Sequence, residues 1–313
     1  MSNFYRQIAS ELTKQPIVLA TVIQTSGSVP GRVGSKMFVC TNKQSVGTIG
    51  GGIGEAQIYA KALQTLTSGI NSFVDINLSE TCGGQMRIWL ERWDKKLLPL
   101  VQQILMALET GNPATIVTPF DQVPYLIPES VNTPQLTTLG CFIEPLESMP
   151  SLLIVGAGQI GVLLAQMAHL AEFQVMVLDD RPELTLPARF PHAICLTTSI
   201  ESALQALPQA RSRYAALITR GIEQDVATLR SLLTYSMQYI GMIGSRNRSQ
   251  QVFQALMQHG HNMNQLATIH TPIGIEIGAQ TPAEIAVSIC AELIQIRRSG
   301  KAQTLREAKL MLD

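Results

Sequence analysis

Four segments of this chain combine glycine with side chains able to bind an anion or to react. The most specific is Gly156-Ala157-Gly158-Gln159-Ile160-Gly161, which directly follows an apolar run and opens a stretch of helical spacing. In that context the first glycine permits a tight turn, the second lets backbone approach a pyrophosphate, and the third allows the helix to pack on its strand. Free N–H groups and the positive dipole at the helix start favour a phosphate. Asp179 ends the next apolar run, about twenty residues on, where a carboxylate ordinarily accepts from a ribose hydroxyl. Together these predict a nucleotide-like ligand. The bland alternative is a scaffold that has lost its ligand.

The second segment, Gly47-Thr48-Ile49-Gly50-Gly51-Gly52-Ile53-Gly54-Glu55, places three consecutive glycines between a strand pattern and a helix pattern. Such a run is costly in chain entropy and makes sense where backbone N–H groups converge on an anion. Ser26, Ser28, Arg32 and Lys36 in the preceding strand–loop–strand could add donors, and solvated loop positions read equally well for each. The third segment, Thr81-Cys82-Gly83-Gly84, leaves a thiol with little steric cover. An exposed thiol reacts or binds soft atoms, whereas a buried one is inert; with no histidine nearby to activate it, both readings stay open. The fourth, Gly241-Met242-Ile243-Gly244-Ser245-Arg246-Asn247-Arg248, runs from a strand into a basic turn. Arg246 suits bidentate contact with a phosphate or carboxylate, and a solvated helix start reads as well. His270, in His270-Thr271-Pro272-Ile273-Gly274, reads as structural rather than catalytic. No HExxH, GxSxG or Walker lysine occurs, which removes zinc-protease, α/β-hydrolase and P-loop ATPase readings.

The elements that must position these residues follow from apolar periodicity. Apolar runs over 151–155, 173–178, 193–196, 215–219 and 240–243 alternate with helical spacing such as 160–170. Buried parallel strands read as continuous apolar runs, and their alternation with helices implies a doubly wound sheet. The last long helix has an explicit start, with Thr281 as N-cap, Pro282 at N1 and Glu284 completing a capping box; Gly300 offers a stop. The first half mixes strands over 17–25, 37–40, 46–49 and 86–93 with a helix over 55–66. Its Pro-, Thr- and Asn-rich stretch over 113–134 reads as loops and short edge strands. The expected class is α/β: a C-terminal Rossmann-like doubly wound parallel sheet over 149–313, preceded by a mixed α/β (α+β) domain over 1–148.

Composition narrows the function. The 313 residues carry 23 Lys+Arg and 23 Asp+Glu, and a zero balance with no like-charge run argues against a nucleic-acid partner. Charged residues make up 15%, below the roughly 25% of ordinary domains. Such a surface more often finds cover in a subunit or partner. No apolar run reaches the ~18 residues of a membrane span. The N-terminus does not resemble a signal peptide, so no membrane partner and a cytoplasmic location are expected. Five cysteines without CxxC spacing argue against a disulfide framework or structural zinc. Cys40, Cys141, Cys195 and Cys290 read as core residues.

In this order the motifs resemble the XdhC/CoxI family, the accessory proteins that handle molybdenum cofactor for xanthine dehydrogenase and related molybdenum hydroxylases. The residues that carry the resemblance are Thr25-Ser26-Gly27-Ser28-Val29-Pro30, Gly50-Gly51-Gly52 with Glu55, Cys82-Gly83-Gly84, Gly156 to Gly161, Asp179-Asp180-Arg181-Pro182, Thr219-Arg220-Gly221 with Asp225, Ile240 to Arg246, and His270 to Gly274 before Thr281 to Ala286. They span nearly the whole chain. The resemblance implies an N-terminal cofactor-handling domain and a C-terminal Rossmann domain, in a homodimer. It implies a carrier rather than an enzyme, one that binds sulfurated molybdenum cofactor (molybdopterin, plain or dinucleotide), protects it and delivers it to an apo-enzyme. The expected cofactor-binding residues are Ser28, Gly50, Gly51, Gly52, Glu55, Cys82, Gly83, Gly84, Gly156, Gly158, Gly161, Asp179 and Arg246, with no catalytic or metal-ligating residue. Family members often carry histidine where this chain has Gln159, Ile222 and Gln224, and some carry cysteine where Ile53 stands. Those departures weaken the case for metal ligation or acid–base chemistry in the Rossmann domain, and leave phosphate binding and Cys82 untouched. Two competing readings are an NAD(P)-dependent oxidoreductase, which lacks a visible Tyr-Lys or His-Asp pair, and a nucleotide-sensing regulatory module.

Overall fold

Helix α1 (Ser2–Leu12) buries Tyr5, Ile8 and Leu12, the three- and four-residue spacing that places side chains on one helical face. The structure is a computed structural model that describes residues 1–42, 44–78, 83–208 and 212–299. It divides into two units, Met1–Ser148 and Met149–Asp313.

The first unit is built on strand β1 (Ile17–Ser26), followed by β2 (Lys36–Cys40), β3 (Ser45–Gly47), helix α2 (Gly52–Ser68), β4 (Ser72–Asn77), β5 (Gln85–Trp93) and helix α3 (Leu98–Thr110). The five strands pair antiparallel in the order β3-β2-β1-β5-β4. β1 is central and buried at every position from 17 to 23 because both of its faces are covered. Val18, Ala20 and Val22 pack with Ile58 and Ala62 of α2. Ile17 and Leu19 pack with Ile8 of α1 and with Val101 and Ile104 of α3. This explains why β1 reads as an unbroken apolar run rather than an alternating one.

The proline-rich stretch departs from expectation. It forms a second antiparallel sheet of β6 (Thr115–Pro119), β7 (Tyr125–Ile127), β8 (Gln135–Leu136) and β9 (Cys141–Pro145), in the order β7-β6-β9-β8. Pro119 and Pro145 stand at strand ends, where a missing N–H costs least. On the two central strands Ile116 and Phe142 are buried, 2% and 1% exposed, while β7 and β8 at the edges are exposed or half-buried.

The second unit follows the expected alternation: β10 (Ser151–Val155), α4 (Gln159–Leu170), β11 (Gln174–Leu178), β12 (Ala193–Leu196), α5 (Ile200–Ala206), β13 (Arg213–Leu217), α6 (Ile222–Leu232), β14 (Tyr239–Met242), α7 (Arg246–Gln258), α8 (Met263–Leu266), β15 (Ile269–His270) and α9 (Pro282–Ser299). All six strands are parallel, in the order β12-β11-β10-β13-β14-β15, the arrangement of dinucleotide-binding Rossmann sheets. Leu164 and Ala168 of α4 and Ile289 and Leu293 of α9 cover one face. Leu204 of α5, Leu229 of α6 and Val252 of α7 cover the other. The start of α9 is as the sequence predicts: Thr281 Oγ1 accepts the Glu284 N–H at 3.3 Å, and Glu284 accepts the Thr281 N–H at 2.9 Å. Gly300 lies outside the described residues. Among the described residues no helix is long and apolar enough to cross a membrane.

The cysteines are not all core residues. Cys40 and Cys290 are buried, but Cys141 and Cys195 are only half-buried. For Cys195 the reason is that β12, which carries it, is an edge strand.

Candidate functional site

In the first unit three loops converge at the end of the β1 sheet. A side chain at Gly27 would meet the Gly83 carbonyl oxygen at 2.7 Å, and one at Gly84 would meet the Ser28 and Ser26 carbonyl oxygens at 2.5 and 2.6 Å. One at Gly50 would meet the Gly31 nitrogen at 2.7 Å. Nothing larger than hydrogen fits at these three positions without moving backbone. The loop from Gly27 to Gly31 is therefore sandwiched between the Gly83-Gly84 turn and the Gly50 turn. This brings Ser28, Gly50, Gly83 and Gly84 into one platform. Cys82 lies outside the described residues; it directly precedes Gly83, whose N–H donates to the Leu78 carbonyl at 2.9 Å.

The three consecutive glycines all have positive φ, +125° at Gly50, +76° at Gly51 and +69° at Gly52, a backbone path closed to most side chains. The space beside Gly52 is open, and α2 starts there. Glu55 sits in the first turn of α2 and braces the loop. Its carboxylate accepts from the Thr48 hydroxyl at 3.2 Å, and Thr48 Oγ1 accepts the Gly50 N–H at 3.1 Å. Ser28 and Arg32 are exposed.

Lys36 is not part of this platform. Its ammonium lies 2.6 Å from the Glu144 carboxylate, with side-chain exposures of 11% and 9%, so it is committed to an internal ion pair between β2 and β9. Glu91 on β5 is buried beside that pair. Burial pushes its carboxyl up to about 7, although the Trp93 indole N–H donates to it at 2.7 Å.

In the second unit the glycine motif occupies the carboxyl end of β10. Gly156 has φ +119°, and a side chain there would collide with the Ile218 carbonyl oxygen; one at Gly161 would collide with the Gly156 carbonyl oxygen. Gly158, the N-cap of α4, has open space beside it. The strand order reverses between β10 and β13, where doubly wound sheets hold ligands. Gly156 and Gly161 thus play the turn and packing roles their spacing predicts, and Gly158 leaves room beside the backbone.

Asp179 does something different from what its position suggests. It is 2% exposed, and both carboxylate oxygens are taken. Oδ2 accepts the Ala157 N–H at 2.7 Å and Arg181 Nη2 at 2.9 Å; Oδ1 accepts Arg181 Nε at 2.8 Å and the Arg181 N–H at 3.1 Å. Burial alone would raise this carboxyl, but the Arg181 guanidinium and the main-chain N–H groups outweigh it and hold it well below the usual carboxylate range. The exposed acid at this strand end is Asp180, 3.5 Å from Arg220.

Arg246 is exposed at the first residue of α7. The arginine that sequence reasoning passed over is Arg248. Its guanidinium lies 2.6 Å from Asp225 and donates to Thr219 Oγ1 at 2.8 Å, and Thr219 in turn donates to Asp225. Asp225 is fully buried, so this clamp holds the β13–α6 turn against α7. The spacing of Thr219 and Asp225 was the available signal.

His270 is also paired. Its Nδ1 lies 2.9 Å from Glu292 of α9, which accepts the Tyr239 hydroxyl at 2.6 Å and the Gly274 N–H at 2.5 Å. Burial would raise the Glu292 carboxyl, and these donors outweigh it and lower it. A His–carboxylate pair therefore exists, with partners 22 residues apart in sequence. His270 faces α9 rather than the β10–β13 crevice, in keeping with a structural role. Among the described residues no three His, Cys, Asp or Glu side chains are grouped to hold a metal ion.

Residues 152–293 match the family model described as the XdhC Rossmann domain, and residues 12–77 match that of the XdhC and CoxI family. The chain is 27% identical over 332 residues to a Bacillus subtilis (strain 168) protein named as a probable xanthine dehydrogenase subunit, covering 95% of this chain and 98% of that protein. It is 26% identical over 296 residues to the uncharacterized protein YqeB of Escherichia coli (strain K12), covering 93% of this chain but 46% of that protein. A crystal structure described as a xanthine dehydrogenase from Bacillus halodurans shares the fold, with a TM-score of 0.82, 24% identity and 98% of each chain covered.

Proposed function

We propose that this chain, which belongs to the XdhC and CoxI family, is an accessory protein that binds molybdenum cofactor and hands it to an apo xanthine dehydrogenase or related molybdenum hydroxylase. The observation that carries this reading is the platform of the first unit, where Gly27, Gly50 and Gly84 are each required by a close backbone approach. A glycine-lined surface with little side-chain cover lets a phosphate-bearing cargo approach the backbone closely. Gly52 at the start of α2 adds a helix N-terminus to it, and Ser28 adds an exposed hydroxyl. Cys82 precedes Gly83 and is the residue whose thiol suits a soft metal–sulfur centre. The protein acts in the cytoplasm, as a homodimer, and performs no chemical step of its own.

Released cofactor incubated with the purified chain is expected to co-elute with it on gel filtration and to reactivate apo-enzyme afterwards. No retention by the wild type would sink the proposal. Cys82→Ala is expected to retain less, and equal retention would remove Cys82 from the site.

A nicotinamide-dependent reaction is the competing reading. The saturated carboxylate of Asp179 weighs against it, because the side chain that would accept the ribose hydroxyls has no acceptor capacity to spare. Titration with NAD(H) or NADP(H) checks this.

A further inference from the structure

Helix α9 is apolar on two sides. Ala286, Ile289, Leu293 and Ile296 face the sheet and are buried. On the opposite side Ala283, Val287, Ala291 and Ile294 recur at spacings of four, four and three residues, which makes one continuous stripe. Val287 is 47% and Ile294 41% exposed; Ala283 is exposed and Ala291 half-buried. A surface helix ordinarily gives its outer side to polar residues, and a helix apolar all round is a covered one. Among the described residues this stripe has no cover.

The charges at the ends of α9 say what fits. Glu284 stands in the first turn, and Arg297 and Arg298 stand in the last. Glu284 and Arg298 are exposed, and both flank the stripe. Laid antiparallel on a second copy of itself about a two-fold axis beside Ala291, the helix sets Val287 against Ile294 and Glu284 against Arg298, each pairing occurring twice. Laid parallel about such an axis, it would oppose Glu284 to Glu284 and Arg298 to Arg298, and like charges facing one another are costly. The stripe is thus self-complementary in the antiparallel sense, the property a two-fold interface requires. Both main-chain bonds that Glu284 accepts at the helix start fall on Oε2, which leaves Oε1 to accept from a guanidinium. The small Ala291 at the crossing lets two backbones approach to the short end of interhelical distances, about 8 Å.

Helix α4 packs beside α9 over the same sheet face. Arg297 donates to the Ala171 carbonyl at 3.0 Å where the two helices end together. Leu170, 82% exposed at that end, extends the apolar surface. Two such helices present a face about 20 Å wide and 25 Å long. Paired with its copy, that face covers roughly 1,000 Å² in all, the size at which a specific interface begins.

We infer that two copies of this chain associate through antiparallel α9 helices. The inference rests on the homodimer of the reading above and gives that dimer its surface; it does not depend on the cofactor, because α9 lies outside the glycine platform.

The test is the molar mass of the full chain, read by light scattering during gel filtration over a concentration series. Twice the mass of one chain is expected for the wild type. The double variant Val287→Glu, Ile294→Glu is expected to run at the mass of one chain, because its new carboxylates face each other across the axis. Leu139→Glu, at a position 90% exposed in the other unit, is expected to stay a dimer. Under a mild added oxidant Ala291→Cys is expected to give a disulfide-linked dimer beyond the wild-type background, while Val287→Cys, which faces Ile294, is not. An unchanged far-ultraviolet circular dichroism spectrum shows that each variant folds. A monomeric wild type overturns the inference together with the homodimer, and leaves cofactor retention to be judged by itself. A dimer that survives the glutamate pair overturns the inference alone. Cross-linking of Val287→Cys in place of Ala291→Cys also overturns it.

Discussion

The Asp179 carboxylate accepts the main-chain N–H of Ala157 at 2.7 Å, so the acid at the end of β11 is tied to the glycine turn at the end of β10. Arg181 locks the same carboxylate from the other side. The motif spacing is that of a dinucleotide site, while the acid serves to fasten the turn. The glycines themselves divide into two kinds, which leads to the first prediction.

Gly156→Ala should destabilise the second unit severely, because the new methyl meets the Ile218 carbonyl and φ is +119°. Gly158→Ala should leave thermal unfolding nearly unchanged, because the space beside Gly158 is open and its φ is −70°. Any nucleotide bound there would nevertheless lose its close approach to the backbone. Equal melting temperatures for the two variants would contradict this account of the turn.

Glu91 should make the first unit less stable as pH rises. Its carboxyl is raised in the folded state from 4.5 to about 7, so between those values the native state holds a proton that the unfolded chain has lost. Stability is therefore full below about pH 4.5 and declines until about pH 7, by roughly 3 kcal/mol at most. Glu91→Gln, which keeps an acceptor for the Trp93 indole, should flatten urea-unfolding stability across that window. A slope unchanged in the variant would assign the dependence elsewhere.

Lys36→Met should cost about 3–5 kcal/mol, the usual penalty for stranding one partner of a buried ion pair. The double variant Lys36→Met, Glu144→Leu should recover most of it. Chemical denaturation of the three proteins reads the coupling. If Lys36 instead served the glycine platform, the double variant would fold well and lose cofactor retention, which we do not expect.

Arg248→Ala should cost a similar amount, about 3–5 kcal/mol, since it leaves the fully buried Asp225 without its guanidinium. Arg246→Ala, two residues away and exposed, should change stability by less than about 0.5 kcal/mol. Thermal melts of the two variants give the comparison directly, and a stability ranking in the opposite order would refute the clamp.

Much of the architecture was legible because it is written in short-range pattern. The strands of the second unit read as apolar runs since both sheet faces are covered by helices. The Thr281–Glu284 capping box was visible at four residues' range. The β6–β9 sheet was not: its strands are two to five residues long, and prolines at their ends resemble loop punctuation until the pairing is known.

The sequence by itself determined five of the six parallel strands of the second unit, β15 being too short to read, and the places where backbone must take a path that only glycine allows. Periodicity and φ are local properties, and local residues express them. Only the tertiary structure decided which charges are free. Lys36 meets Glu144 across 108 residues, Arg248 meets Asp225 across 23, and His270 meets Glu292 across 22. A side chain's partner depends on which elements pack together, and a buried charge must find one or destabilise the fold. The candidate ligands were therefore read too generously along the chain. Packing claimed Lys36 and Asp179 and left Ser28 and the space beside Gly52 and Gly158 open.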